Sequence, residues 1–381
     1  MKTVSVPALI ASMSILLLPH AFGQGALTPP PGPPAPTMKT LDQLDAKLEP
    51  RTPISSLPFT ISQPGSYYLT GNLTGVSGQD GITIATSDVT LDLVGFALTG
   101  VAGSLKGVSI SGGTSNIAVR NGTVRSWGGE GVDAGSASNG QFQDLRLSAN
   151  GGFAGLIAGD GSTVSGCVAR GNTRDGIFTG FGCTISGCTT RENLDAGIYA
   201  GQGSTVTGCT ASRNTDRGIF TSGECTVSGC TANLNGGDGI NASGGSTISG
   251  CTASDNHKNG IVSENGSTIS GSTASYNYND GIRVTSSCRV VENTCAGNGV
   301  DAFDGAGINA LSSRNRIDSN NVMGNDRGID CNPATANLII RNSARGNTIN
   351  YDIVAGNNAG AIIVSPGVGF SSSNAWANLE F

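Results

Sequence analysis

GLIAGDGSTVSGCVARGNTRD (residues 155–175), GIFTGFGCTISGCTTRENLDA (176–196), GIYAGQGSTVTGCTASRNTDR (197–217), GIFTSGECTVSGCTANLNGGD (218–238), GINASGGSTISGCTASDNHKN (239–259) and GIVSENGSTISGSTASYNYND (260–280) are six consecutive units of 21 residues without a gap. A seventh, GIRVTSSCRVVENTCAGN, begins at Gly281, and looser units flank the array, with an apolar residue after Gly at Ile82, Val108, Val132, Ile308 and Ile329. Ile353 opens a further unit without the Gly, which makes about thirteen turns in all. Within a unit the side chains alternate with period two. In the second unit Ile177 and Thr179 point one way, followed by Cys183 and Ile185 and then by Cys188 and Thr190. Phe178, Thr184, Ser186 and Thr189 point the other way. Three short strands separated by Gly or Asn turns make one rung of a parallel coil, and a unit of this length leaves no room for a crossover helix. Rungs hydrogen-bonded at ~4.8 Å would give a rod of roughly 60 Å.

The composition agrees with a thin, repetitive core. Of 381 residues 59 are Gly, charged residues are 13% and aromatics 5%. That is too few long apolar side chains for a thick globular core and too little charge for a disordered chain. Gly follows no three-residue period, which excludes collagen. Leucine-rich repeats need several Leu per unit, and propeller blades are about twice as long.

Upstream of the array, Lys2, the apolar run Val6 to Leu18 and Ala21-Phe22-Gly23 form a secretory leader over residues 1–23. Removing it takes the formal charge from −6 to −7, which argues against nucleic acid as a partner. Residues 24–37 form a Pro-rich linker, and residues 38–76 a cap. The cap consists of a short helix started by Thr40 and Gln43 and stopped by Pro50, then a strand pair around Pro64-Gly65. Residues 77–365 form the coil, and 366–381 a C-terminal cap in which Trp376 and Phe381 cover the last rung. No later stretch is apolar enough to span a membrane. The chain is expected to be secreted, extracellular or periplasmic, and monomeric.

Stacking puts equivalent residues above one another. Asn172, Asn193, Asn214, Asn235, Asn256, Asn277 and Asn298 form one column. Asn tolerates the left-handed turn conformation, and stacked amides hydrogen-bond along a column. The Gly-Ile strand starts, this column and the apolar middle strand (Val164, Ile185, Val206, Val227, Ile248, Ile269) resemble the right-handed parallel β-helix proteins of the pectin lyase-like superfamily, over roughly Gly81 to Val364. The resemblance implies an all-β right-handed parallel β-helix. It leaves the activity open, because that superfamily includes lyases, hydrolases, epimerases, adhesins and uncharacterised secreted proteins.

All ten Cys lie in the coil. Cys167, Cys188, Cys209, Cys230 and Cys251 recur every 21 residues, and Cys183, Cys225 and Cys288 share a second column with Ser162, Ser204, Ser246 and Ser267. Both columns are expected to face inward. A secreted chain favours disulfides, and the rung spacing permits vertical bridges. Free exchange with Ser instead suits small buried fillers. Metal binding is not expected of a linear thiol column.

Chemistry has few places to sit. His257, the one histidine outside the leader, lies in a turn beside Lys258, and no GxSxG, HExxH or Walker sequence occurs. Asn214-Thr215-Asp216 spells the short motif of polygalacturonases, whose other motifs are absent. On the outward side of the first strand Phe178, Tyr199 and Phe220 follow Gly-Ile in three successive rungs, a stripe suited either to sugar rings or to mutual stacking. In the turns before them stand Asp175, Asp195, Asp216, Arg217, Asp238 and Asp280. Asp195 and Asp216 share a column one rung apart, the ~5 Å carboxyl separation of a retaining glycosidase, so they are the candidate catalytic pair. Phe178, Tyr199, Phe220, Asp175, Arg217 and Asp238 are the candidate ligand-binding set. No cofactor is expected, Ca²⁺ being the one ion that turn carboxylates could take. The expected partner is a polysaccharide or cell-surface glycan, bound or processed at the exposed strand face. If the chain is an enzyme, it is a lyase or hydrolase on such a polymer. The alternative is a non-catalytic adhesive rod, for which uniform repeats suffice.

Overall fold

A computed structural model describes residues 51–299, 305–364 and 372–381. The leader, the Pro-rich linker and the helix expected near Thr40 lie outside the described residues. Every regular element among the described residues is a strand, and every strand pairing is parallel, as in a β-helix. The first strands of the rungs form a sheet of fourteen, stacked in chain order from Phe59–Ile61 to Ile349–Ile353. Through the regular units the register is fixed by one column, Ile177, Ile198, Ile219, Ile240, Ile261 and Ile282.

The turn count is thus fourteen rather than thirteen. Phe59–Ile61 already pairs with Ile82–Ile84, and Gly65–Leu69 pairs with Val89–Asp92. The strand pair around Pro64-Gly65 is therefore the first full rung. In the last rung the residue over Ile329 is Tyr351, and Ile353 sits over Cys331, two positions beyond the expected strand start.

The second and third strands of each rung build two further ladders, exemplified by Thr184–Ser186 and Thr189–Arg191. Between them stands a single left-handed residue, Gly166, Gly187, Gly208, Gly229, Gly250 or Gly271 in the regular units. In the rungs of Ile117–Arg125 and Gln141–Ser148 one continuous strand serves both ladders and joins them into a single sheet.

The core is a set of vertical columns. Val164, Ile185, Val206, Val227, Ile248 and Ile269 are completely buried, as are the first-sheet Ile residues. All ten cysteines are buried free thiols. In the main column each Sγ contacts a carbonyl two residues back, as from Cys188 to Ser186 at 3.4 Å and Cys230 to Ser228 at 3.4 Å. Hydrogen bonding to the thiol of the preceding rung, together with burial, pushes Cys188, Cys209 and Cys230 up to about 12. They pack as protonated fillers without nucleophilic character.

The Asn column is a continuous buried ladder. Asn193 donates from its backbone N–H and its Nδ2 to Asn214 Oδ1, at 3.1 and 2.9 Å, and its Nδ2 also reaches the Ala169 carbonyl. The pattern repeats through Asn235, Asn256, Asn277, Asn298 and Asn325. The left-handed conformation falls one residue earlier than expected. Gly171, Glu192, Arg213, Leu234, Asp255, Tyr276 and Gly297 have φ between 53° and 65°, whereas the Asn residues do not. Asn was selected for its amide, and the strained turn position was left to whatever residue precedes it.

At the C-terminal end Asn378–Glu380 pairs with Ser343–Arg345 and Ile362–Val364, and Asn378 Oδ1 accepts the next link of a second Asn ladder from Asn342. Trp376 and Phe381 are 54% and 44% exposed and lie beneath the guanidiniums of Arg341 and Arg345.

Candidate functional site

The outward column of the first sheet is set by the same register as the core, one residue on. It reads Asp133, Ile157, Phe178, Tyr199, Phe220, Asn241, Val262, Arg283 and Asn309, then Asp330 and Asp352. Three successive aromatics in a column with one residue per rung must touch, because the rungs are only ~4.8 Å apart. Phe178 and Tyr199 stack at 4.5 Å between centroids and 22° between planes. Tyr199 and Phe220 lie at 5.0 Å and 51°. All three are half-buried.

Two members of this ladder escaped the sequence reading. Phe153 packs edge-on to Phe178 at 5.2 Å, and Arg174 lies 4.3 Å over the Phe153 ring. Phe153 stands in the turn two residues before Gly155, in the column of Arg174, Asp195 and Asp216 rather than that of Phe178. That shared column was the available signal. At the other end Arg217 covers Phe220 at 4.6 Å. The ring faces of the ladder are therefore largely taken up by neighbouring rings and two guanidiniums.

The turn carboxylates divide into two groups. Asp195 and Asp216 stand in the open beside the ladder. Arg174 Nη2 is 3.6 Å from Asp195, and Arg217 Nε is 3.9 Å from Asp216. The Asp216 N–H donates to the Asp195 carbonyl at 3.3 Å. This gives two neighbouring ion pairs with the two carboxylates between the two guanidiniums.

Asp175 and Asp238 are withdrawn from the surface. Asp175 is 4% exposed and accepts the Ala196 N–H at 3.0 Å. Burial, reinforced by the Asp195 charge, pushes its carboxyl up to about 6. Asp238 accepts from Asn241 Nδ2, Asn259 N–H and Asn259 Nδ2 at 2.8–3.1 Å. Asp280 repeats the arrangement, accepting from Ala306 N–H and Asn309 Nδ2, and burial pushes it also to about 6. These three tie one rung's turn to the next. Of the candidate set, then, Phe178, Tyr199, Phe220, Arg217, Asp195 and Asp216 meet on one face, while Asp175 and Asp238 lie beneath it.

Further along the same face the aromatics give way to matched charges. Arg327 reaches Asp330 and Asp352 at 3.2 Å each, and Arg283 stands 4.0 Å from Asp280. Among the described residues no group of three or more His, Cys, Asp or Glu side chains is placed to hold a metal ion. Among the described residues no helix is long and apolar enough to cross a membrane.

Two family models match the chain. One, described as a right-handed beta helix region, covers residues 106–249. The other, described as the periplasmic copper-binding protein NosD, covers residues 181–365. No curated protein matches the sequence. Among solved structures the chain is similar to the A-module of a mannuronan C-5 epimerase from Azotobacter vinelandii, with a TM-score of 0.54 and 16% identity over 64% of this chain and 86% of that one. It is also similar to the catalytic domain of a GH87 alpha-1,3-glucanase in complex with tetrasaccharides, with a TM-score of 0.52 and 15% identity over 76% and 70% of the two chains. At this identity the likeness is one of fold. The described residues do not fit the metal in the second family's description. Copper favours accessible Cys, Met or His ligands. Here the thiols are buried, and His257 lies in an exposed turn away from them.

Proposed function

We propose that this right-handed parallel β-helix of pectin lyase-like fold is an exported, non-catalytic polysaccharide-binding protein that uses the outer face of its first sheet. The observation that carries the reading is the half-exposed ladder Phe153, Phe178, Tyr199 and Phe220, four aromatic rings in contact on one outer face of the coil. Aromatics on the solvent face of a sheet are scarce in this chain, and four in contact form an apolar ridge about four rungs long.

With its ring faces largely occupied, the ridge offers ring edges to a polymer lying along the axis. Those edges carry the positive rim of the aromatic quadrupole and suit sugar oxygens. The Tyr199 hydroxyl, 3.5 Å from Ser222 Oγ, and the flanking Arg174, Asp195, Asp216 and Arg217 add hydrogen-bonding groups. Catalysis is not part of the reading. A retaining pair needs one protonated carboxyl beside one ionised one. Asp195 and Asp216 both sit against guanidiniums, and the carboxyl with the raised pKa, Asp175, is buried. No cofactor is invoked.

The mannuronan epimerase and alpha-1,3-glucanase similarities support a carbohydrate polymer as the ligand class. The leader-like N-terminus and the periplasmic description of one matching family support export to the periplasm or beyond. Native electrophoresis in gels cast with alginate, polygalacturonate and neutral glucans tests the reading, with a product assay on each polymer. Retardation by at least one polymer without new reducing or unsaturated ends is expected. Retardation by none would leave the adhesive-rod reading.

A further inference from the structure

A groove of about 500 Å³ follows the corner between the third-strand ladder and the next rung's first strand, two rungs beyond the aromatic ladder. Its floor is Asn256 and Asn277, whose amides are already committed. Asn256 Nδ2 donates to Asn277 Oδ1 at 2.9 Å and to the Ala232 carbonyl at 3.1 Å, and Asn277 continues the ladder to Asn298. The residues before and after each Asn must point outward, so Asp255 and Tyr276 line one side and His257 and Tyr278 the other.

Both tyrosines are open, Tyr276 at 67% and Tyr278 at 49% exposure. Neither has a ring partner of the kind that occupies the ladder. Tyr276 also stands at the left-handed turn position with φ 54°, which Gly171, Gly297 and Gly346 take in other rungs. A non-glycine residue is strained there. The fold would accept Gly at this position, so backbone geometry does not call for the aromatic ring. Its ring reaches over the next rung and rests against Gly297, where an added methyl would come within 2.7 Å. The groove is thus shaped by a strained tyrosine and by a glycine that makes room for it.

The chemistry of the lining selects the ligand. None of its eight residues is Lys or Arg, and Asp255 is a carboxylate. A uronate or phosphate would meet repulsion with no cation in the lining to offset it. A neutral sugar has an apolar C–H face for the tyrosines and hydroxyls for Asp255 and His257. We propose that this corner groove is a second binding site, separate from the aromatic ladder, for neutral glycosyl units. Tyr276 and Tyr278 pack on the sugar ring, and Asp255 and His257 hydrogen-bond its hydroxyls.

The test uses the full chain and two variants, Tyr276→Gly and Tyr278→Ser, in native gels containing dextran, a soluble β-1,3-glucan, a galactomannan, alginate or polygalacturonate. Tyr276→Gly relieves the turn, so it should melt no lower than the parent, which separates lost binding from lost folding. The expected result is retardation by at least one neutral polymer, weakened fivefold or more by each variant and unchanged in Tyr199→Ala. Three results overturn the groove: no retardation by any neutral polymer, retardation by the uronate polymers alone, or neutral retardation that both groove variants keep. If Tyr199→Ala abolishes binding and the groove variants do not, the ladder reading stands and this one fails. The reverse pattern on the neutral polymers is the one the groove predicts, and the ladder is judged separately by whether Tyr199→Ala weakens retardation by any other polymer.

Discussion

Phe178 and Tyr199 stack face to face at 4.5 Å across neighbouring rungs, so each ring serves as packing surface for the other before it can serve a ligand. Tyr199 also holds Phe220 at 5.0 Å and is the centre of the ladder. Cross-strand aromatic pairs contribute about 0.5–1.5 kcal/mol each. Tyr199→Ala should therefore lower stability to urea by about 1–3 kcal/mol, and Tyr199→Phe by less than about 0.5 kcal/mol. Equal losses in the two variants would mean that the hydroxyl, not the ring stack, holds the face together.

Leu234 takes the left-handed turn position with φ 57° directly before Asn235. It is 41% exposed and so has little burial to lose. Leu234→Gly should raise the unfolding free energy in urea by up to about 1 kcal/mol, the removed strain being partly offset by the greater freedom of Gly in the unfolded chain. A clear loss of stability would show that the Leu234 side chain contributes packing worth more than the backbone strain.

Three carboxyls give stability a defined dependence on pH. Asp175 and Asp280 have folded values near 6, above their ordinary 3.8. Their stabilising contribution is full below the ordinary carboxylate range and is lost as pH rises through about 6. Asp318 is the opposite case. Burial works against its charge, but Arg341, Arg316 and Ser319 outweigh it and hold the carboxyl at about 2. Its contribution is present above the ordinary range and is lost as pH falls through about 2. The urea midpoint should rise from pH 7 to about pH 4.5 and fall again in stronger acid. Asp175→Asn should flatten the upper limb. A midpoint that drops steadily from neutral pH downward would contradict this assignment.

Ten buried free thiols predict a simple titration. An aromatic disulfide reagent should find almost no reactive thiol in the native chain and ten in denaturant without reductant. Reductant should leave the melting temperature unchanged. A shortfall in denaturant, restored to ten by reductant, would place vertical disulfides in the column.

The rungs were legible in the sequence because stacking makes every rung repeat the same physical problem. The Gly-Ile starts, the middle strand and the inward thiols all recur at 21 residues and all fall where the period predicts. The ends were harder to read. Phe59–Ile61 carries no Gly-Ile signature, and the last rung puts Tyr351 where the pattern suggested Ile353. The Asn column and its amide ladder were visible, but the place of the left-handed turn was not, since only the backbone reveals that Gly171, Glu192 or Leu234 adopts it. At the candidate site the column arithmetic brought Phe178, Tyr199 and Phe220 together. It could not tell that Asp175 and Asp238 turn inward to accept backbone and Asn donors while Asp195 and Asp216 stay out. Phe153 and the paired tyrosines at 276 and 278 lie in turns, where alternation gives no side.

The most direct measurement is the retardation of the full chain and of the triple variant Phe178→Ala, Tyr199→Ala, Phe220→Ala, in native gels cast with whichever polysaccharide slows the parent chain. With an unfolding curve confirming that the triple variant keeps its coil, a polysaccharide-binding ladder predicts loss of at least tenfold in apparent affinity. Undiminished retardation of the folded triple variant would contradict the assignment of the first-sheet face as the binding surface.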